Sequence, residues 1–111
     1  MKRLALLAAT LTLAGCGTPI AVDGQTADGE QFTGTLTAEG REFGPLEIRN
    51  ASGVVCTGTW QFDTDQRGSA TLSCSDGRTG SAELSSLEVP GKMSGMLGGK
   101  LFRGTYERLP I

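Results

Sequence analysis

Any chemistry in this 111-residue chain must be done without histidine, because the sequence contains none. That removes the Ser-His-Asp and Cys-His arrangements in which an imidazole activates a nucleophile. Three cysteines alone are too few for a zinc site. The remaining acid–base candidates are pairs of carboxylates, Asp63 with Asp65 and Glu83 with Glu88, as a glycosidase would use across a scissile bond. Asp63 and Asp65, however, stand in Asp63-Thr64-Asp65-Gln66-Arg67-Gly68, a turn composition in which Asp bonds to its own backbone. The same stretch opens like a calcium loop. Its fifth position is Arg67 and its twelfth is Cys74, where such a loop needs an oxygen ligand and a bidentate Glu. Gly95-Met96-Leu97-Gly98-Gly99 lacks the Lys-Ser/Thr ending and the following helix of a phosphate loop. The sequence therefore leads us to expect no enzyme, with no catalytic residue, no cofactor-binding residue and no metal ligand.

Cys16 belongs to a motif of another kind. Lys2 and Arg3 precede an apolar run over residues 4–13, and Ala14 and Gly15 are small, as a signal-peptide cleavage site requires. The run is about half the roughly 20 residues that a membrane-spanning helix needs. Leu13-Ala14-Gly15-Cys16 resembles the lipobox of a bacterial lipoprotein. The resemblance implies that residues 1–15 are a signal peptide removed between Gly15 and Cys16. It also implies that Cys16 carries a diacylglycerol thioether, with acyl chains such as palmitate. Gly17, in place of Asp, is similar to the outer-membrane sorting pattern of Gram-negative lipoproteins, which implies an outer-membrane anchor facing the periplasm. Each buried methylene contributes about 0.8 kcal/mol, so two or three chains hold a protein where one binds reversibly.

Removal of Lys2 and Arg3 leaves eight basic residues against 12 acidic ones in a mature chain of 96, a net charge of −4. That is one small domain. Its acidity gives no basis for nucleic-acid binding, nor for a second, electrostatic hold on anionic lipid. Lys92, Lys100, Arg103 and Arg108 make the C-terminal part mildly basic, as solvated strand charges do. With Cys16 consumed by lipid, Cys56 and Cys74 form an even pair in an oxidising compartment, and a disulfide is expected. Residues 16–27 are polar and contain Pro19. They read as a lipidated cysteine and tether, about 40 Å long at full stretch, ahead of a domain over 28–111.

That domain repeats itself. Gly29-Glu30-Gln31-Phe32-Thr33-Gly34-Thr35-Leu36 aligns with Gly53-Val54-Val55-Cys56-Thr57-Gly58-Thr59-Trp60 and with Gly99-Lys100-Leu101-Phe102-Arg103-Gly104-Thr105-Tyr106. A degraded copy stands at Gly77-Arg78-Thr79-Gly80-Ser81-Ala82. The inner glycines fall at 34, 58, 80 and 104, a period in the twenties that marks stacked supersecondary units. Within the units apolar residues alternate with polar ones at period two, the pattern of strands with one buried face. A hairpin turning at Asp65 brings Cys56 opposite Cys74, Gly58 opposite Leu72 and Trp60 opposite Ala70, so the hydrophobic pattern and the cysteine pairing agree on one register. The expectation is all-β: an antiparallel meander of seven or eight short strands, curled or barrel-like, with one cross-strand disulfide. The repeat resembles the MORN repeat, a hairpin unit of similar period with a Gly–aromatic–Gly signature.

Two functions fit this reading. One is a non-catalytic envelope lipoprotein, a structural or binding module. Its Thr-rich strand faces (Thr33, Thr35, Thr57, Thr59 and Thr71) and an exposed sheet edge would meet peptidoglycan or another envelope protein. The other is a tethered inhibitor of a periplasmic hydrolase such as lysozyme. Ser52-Gly53-Val54-Val55 is similar to the Ser-Gly loop of membrane-bound lysozyme inhibitors, and the acidic charge suits a basic enzyme.

Overall fold

The computed structural model describes residues 18–107, except 40, 41 and 65. It contains eight strands: β1 (Thr18–Thr26), β2 (Gln31–Ala38), β3 (Phe43–Arg49), β4 (Val55–Phe62), β5 (Arg67–Cys74), β6 (Thr79–Ser85), β7 (Gly91–Leu97) and β8 (Lys100–Tyr106). Each pairs antiparallel with its neighbour in sequence, and β1 pairs with β8, so the sheet closes into a barrel.

The register is uniform and staggered. The inward row that starts at Ile20 passes through Leu36, Leu46, Gly58, Leu72, Gly80 and Leu97 and reaches β8 at Lys100. Thr26 on β1 faces Phe102. Lys100 therefore meets β1 two residues beyond Thr26, eight residues on from Ile20. Eight strands with a stagger of eight residues tilt by about 36° from the barrel axis, and such a barrel is just wide enough for side chains to fill.

The alternation in sequence becomes alternation between inside and outside. On β5, Ala70, Leu72 and Cys74 are buried while Ser69, Thr71 and Ser73 are exposed. Trp60, Tyr106, Phe32 and Phe102 fill the middle, each about 1% exposed. Trp60 meets Phe62 edge-on at 6.0 Å, and Phe32 meets Phe102 likewise at 6.0 Å, a geometry favoured by the ring quadrupoles. The Trp60 indole N–H donates to the Thr37 carbonyl at 3.2 Å, and the Ser86 and Tyr106 hydroxyls lie 2.8 Å apart. These bonds satisfy the polar ends of two core residues.

The repeat glycines are what lets so short a sheet curl. They face inward, and a Cβ on Gly58 would lie 1.7 Å from the Thr71 carbonyl oxygen, one on Gly34 1.9 Å from that of Glu47. Neighbouring backbones occupy the place a side chain would take. Glycine kinks of this kind are how a sheet turns a barrel corner.

Cys56 and Cys74 form the expected disulfide, with Cα atoms 3.8 Å apart. The Ser75 N–H donates to the Val55 carbonyl at 2.7 Å, so the adjoining cysteine pair is a non-hydrogen-bonded one, where side chains approach most closely.

Two expectations need correction. Residues 18–26 are not a tether: they form β1, with Ile20, Val22 and Thr26 buried. The strand is held by β2 on one side and β8 on the other. Nor do the described residues leave a free sheet edge for strand addition, because that same strand closes the sheet. Cys16, Gly15 and Gly17 lie outside the described residues.

The fold makes two stability predictions, both measurable as urea midpoints. Gly58→Ala should cost about 3 kcal/mol through overpacking against strand β5. Replacing both Cys56 and Cys74 by Ser should cost about 3 kcal/mol, the value for closing a loop of this length.

Candidate functional site

Among the described residues, buried apolar side chains from Ile20 to Tyr106 pack the barrel interior, which leaves its rims and outer wall as contact surfaces. We call the rim where β1 begins the near rim and the other the far rim.

Three far-rim hairpins share one turn, repeated every 24 residues: Thr26-Ala27-Asp28-Gly29-Glu30, Asn50-Ala51-Ser52-Gly53-Val54 and Cys74-Ser75-Asp76-Gly77-Arg78. In each, the first N–H bonds the fifth carbonyl and the glycine N–H bonds the first carbonyl. Gly29, Gly53 and Gly77 have φ of 95°, 92° and 95°, where glycine alone is unstrained. The side chains reinforce the turns. Thr26 Oγ1 accepts from the Glu30 N–H, Asp76 Oδ1 from the Arg78 N–H, and Asn50 Oδ1 from the Ser52 and Val54 N–H groups.

These turns converge on an ionic cluster. Arg78 donates from both terminal nitrogens to Glu30, at 2.7 and 2.9 Å, and from Nε to Asp76 at 2.9 Å. Glu30 accepts a further bond from Asn50 Nδ2 at 2.7 Å. The Arg78 guanidinium sits 5.7 Å above the Phe32 ring, so the cluster roofs the core at this end. The bonds from Arg78 hold the Glu30 carboxyl below the usual carboxylate range, although partial burial opposes this. Nearby, bonds from Lys100 and then Thr26 hold Asp28 down to about 2. A shallow hollow of about 430 Å³ lies beside the cluster, lined by Glu30, Gln31, Asn50 and Ser52.

The near rim is different. It carries three large exposed apolar side chains: Phe43 at 55%, Leu87 at 58% and Val89 at 68% exposure. Phe43 opens β3. Leu87 and Val89 stand in the β6–β7 loop, whose base is pinned where the Ser86 N–H donates to the Gln66 carbonyl at 2.9 Å and Ser86 meets Tyr106. Exposed carboxylates share this rim, at Glu39, Glu42, Asp63, Glu88 and Glu107, with Arg67 and Lys92 as cations.

The wall between the rims is hydroxyl-rich. Thr57 faces Ser73, and Thr59 faces Thr71, which faces Ser81. A barrel that spans a bilayer has an apolar outer band; this one is polar outside and apolar within.

The carboxylates that could have formed catalytic pairs are not gathered. Asp63 caps the near end of β4, where its N–H bonds the Arg67 carbonyl at 2.9 Å, and Asp65 lies outside the described residues. Glu83 projects from the wall between Ser69 and Ser94, whereas Glu88 sits in the near-rim loop 4.0 Å from Lys92. Among the described residues no group of three Asp, Glu or Cys residues could hold a metal. Lys92 lies near one rim, Lys100, beside Asp28, at the other, and Arg103 faces Gln25 and Ser94 on the wall, so these three described residues are spread over the barrel; Arg108 lies outside the described residues. Sequence reasoning missed the Glu30–Arg78 pair, which joins turns 48 residues apart. The recurrence of Asp28-Gly29 and Asp76-Gly77 was the signal that could have placed those turns on one rim.

No family model and no curated protein matches this chain. Solved structures do. The chain is similar to a de novo designed fluorescence-activating β-barrel, at TM-score 0.62 and 15% identity, covering 81% of this chain and 90% of that one. It is similar also to a redesigned β-barrel, mFAP1, bound to DFHBI, at TM-score 0.66 and 14% identity, covering 84% and 94%. A third redesigned barrel gives 0.64 at 13% identity, covering 86% and 92%. At these identities the likeness is one of fold.

The far-rim cluster should be a stability device. Arg78→Ala should cost about 2 kcal/mol, for charge-assisted bonds and a cation–π contact. Because the folded-state pKa values of Glu30 and Asp28 are lowered, their contribution is present above the unfolded carboxylate pKa and lost as pH falls. The urea midpoint should decline from about pH 5 to pH 2, with Glu30→Gln flattening the decline. Asp28 is exposed, and screening keeps its share small.

Proposed function

We propose that this protein is a lipid-anchored, non-catalytic lipoprotein of the bacterial envelope, and that its barrel is a structural or binding module. The observation that carries this reading is where the fold begins. All eight strands lie downstream of Cys16, the first starting at Thr18. Cleavage between Gly15 and Cys16 therefore takes nothing from the described barrel and leaves the residue to be acylated two positions ahead of β1. The filled interior supports a role for outer surfaces over a role as a carrier of small ligands. The hydroxyl-rich wall through Thr57, Thr59, Thr71 and Ser73 offers neutral donors and acceptors of the kind that glycan or an envelope protein would meet.

A tethered hydrolase inhibitor would share the anchor. Ser52-Gly53, however, occupies the same turn position as Asp28-Gly29 and Asp76-Gly77. Turn chemistry accounts for it, and no observation favours the inhibitor.

The test is Cys16→Ser in the full chain. The wild-type protein should incorporate labelled palmitate and partition into a detergent phase. The variant should lose the label and remain in the aqueous phase. Label or detergent partitioning retained by Cys16→Ser would contradict the anchor.

A further inference from the structure

We infer that the near rim is a membrane-seating surface, in which Phe43, Leu87 and Val89 enter the headgroup region of the bilayer that holds the Cys16 lipid. The inference rests on the lipoprotein reading above and adds an orientation to it.

Placement is what points to the bilayer. Thr18 follows Cys16 by two residues, and two extended residues span about 7 Å. With β1 a strand of the barrel wall, no long tether separates the rim from the lipid. The near rim lies against the bilayer by covalent geometry alone. Its three large exposed apolar side chains are then where a membrane would bury them. They also flank the anchor: Phe43 is on β3, two strands from β1 in one direction, and the β6–β7 loop adjoins β7, two strands away in the other. Contacts on both sides of a single attachment point keep a barrel upright on a surface. Met96 and Leu101 are also exposed, but they are one cross-strand pair beside the β7–β8 turn at the far rim, the end away from the start of β1.

Charge selects the lipid. Among the described residues of this rim, Glu39, Glu42, Asp63, Glu88 and Glu107 outnumber Arg67 and Lys92. Anionic headgroups would be repelled, so the surface suits zwitterionic ones such as phosphatidylethanolamine. Apolar groups seated in this way reach about 5–10 Å into the boundary between headgroups and acyl chains. In this pose the far rim, with its turns and the Glu30–Arg78 cluster, points away from the membrane.

The test uses the lipidated full-length protein in phosphatidylethanolamine–phosphatidylcholine vesicles, with lipids brominated near the glycerol end of the chain as quencher. Phe43→Trp, Leu87→Trp and Leu101→Trp are compared with the wild type, whose buried Trp60 supplies the background. Quenching and a blue shift on vesicle binding are expected for the first two and not for Leu101→Trp. Substituting phosphatidylglycerol for part of the lipid should reduce the quenching. Equal quenching at Leu87→Trp and Leu101→Trp, or none at either while the protein floats with the vesicles, would overturn the seating and leave the anchor intact. A blue shift at Leu87→Trp that grows with protein concentration and needs no vesicles would assign the rim to a second copy, and would overturn the inference too. Protein that lacks lipid by mass and does not float would overturn the anchor, and the seating with it.

Discussion

The pairing of β1 with β8 is the constraint on which the rest of this molecule depends. Each strand has one apolar face, and a one-sided sheet must bury that face somewhere. Val22 facing Tyr106 and Thr26 facing Phe102 let the sheet bury it against itself. Closure turns seven hairpin contacts into a continuous cylinder and brings Phe32 against Phe102 across its interior. It also removes the free edge through which a sheet of this kind would pair with a neighbour. The inward glycines serve the same end, since closing eight short strands at this stagger brings backbones where side chains would otherwise stand.

Much of this was legible in the sequence, because hairpins are local. The alternation around Trp60 and Leu72, the turn before Gly68 and the spacing of Cys56 and Cys74 agree on one register, and the structure has that register. The 24-residue step from Gly29 to Gly53 and on to Gly77 is the step from one far-rim turn to the next. What was not legible is non-local. β1 contains Pro19, Gly24 and several polar residues, and only Ile20 and Val22 mark its inner face. By composition it reads as a linker. The clue lay in Asp28-Gly29, a hairpin turn that requires a strand on each side. The Glu30–Arg78 contact was hidden for a different reason. Nothing in either segment announces the other, and only closure and tilt bring the turns together.

The architecture also narrows where function can reside. The core side chains occupy the space in which a larger barrel would hold a ligand. The designed barrels that share the fold do so at 13–15% identity. What they share with this chain is a geometry of strand number, stagger and packing, which carries no substrate. The two rims are chemically unlike, one a set of capped, charged turns and the other edged with apolar side chains. The anchor proposed at Cys16 would give such unlike ends an orientation, because β1 starts two residues later, at Thr18.

The status of residues 18–26 is therefore decisive, and native-state hydrogen exchange of the oxidised domain measures it directly. If β1 closes the barrel, the amides of Asp23 and Gln25, which the register turns toward Thr105 and Arg103 of β8, should exchange as slowly as those of Trp60 and Leu72, through global unfolding. Exchange of Asp23 and Gln25 at the rate of an unstructured chain, with β4 and β5 still protected, would leave β1 unpaired with β8. The sheet would then be open, and closure could no longer explain the buried core or the missing edge.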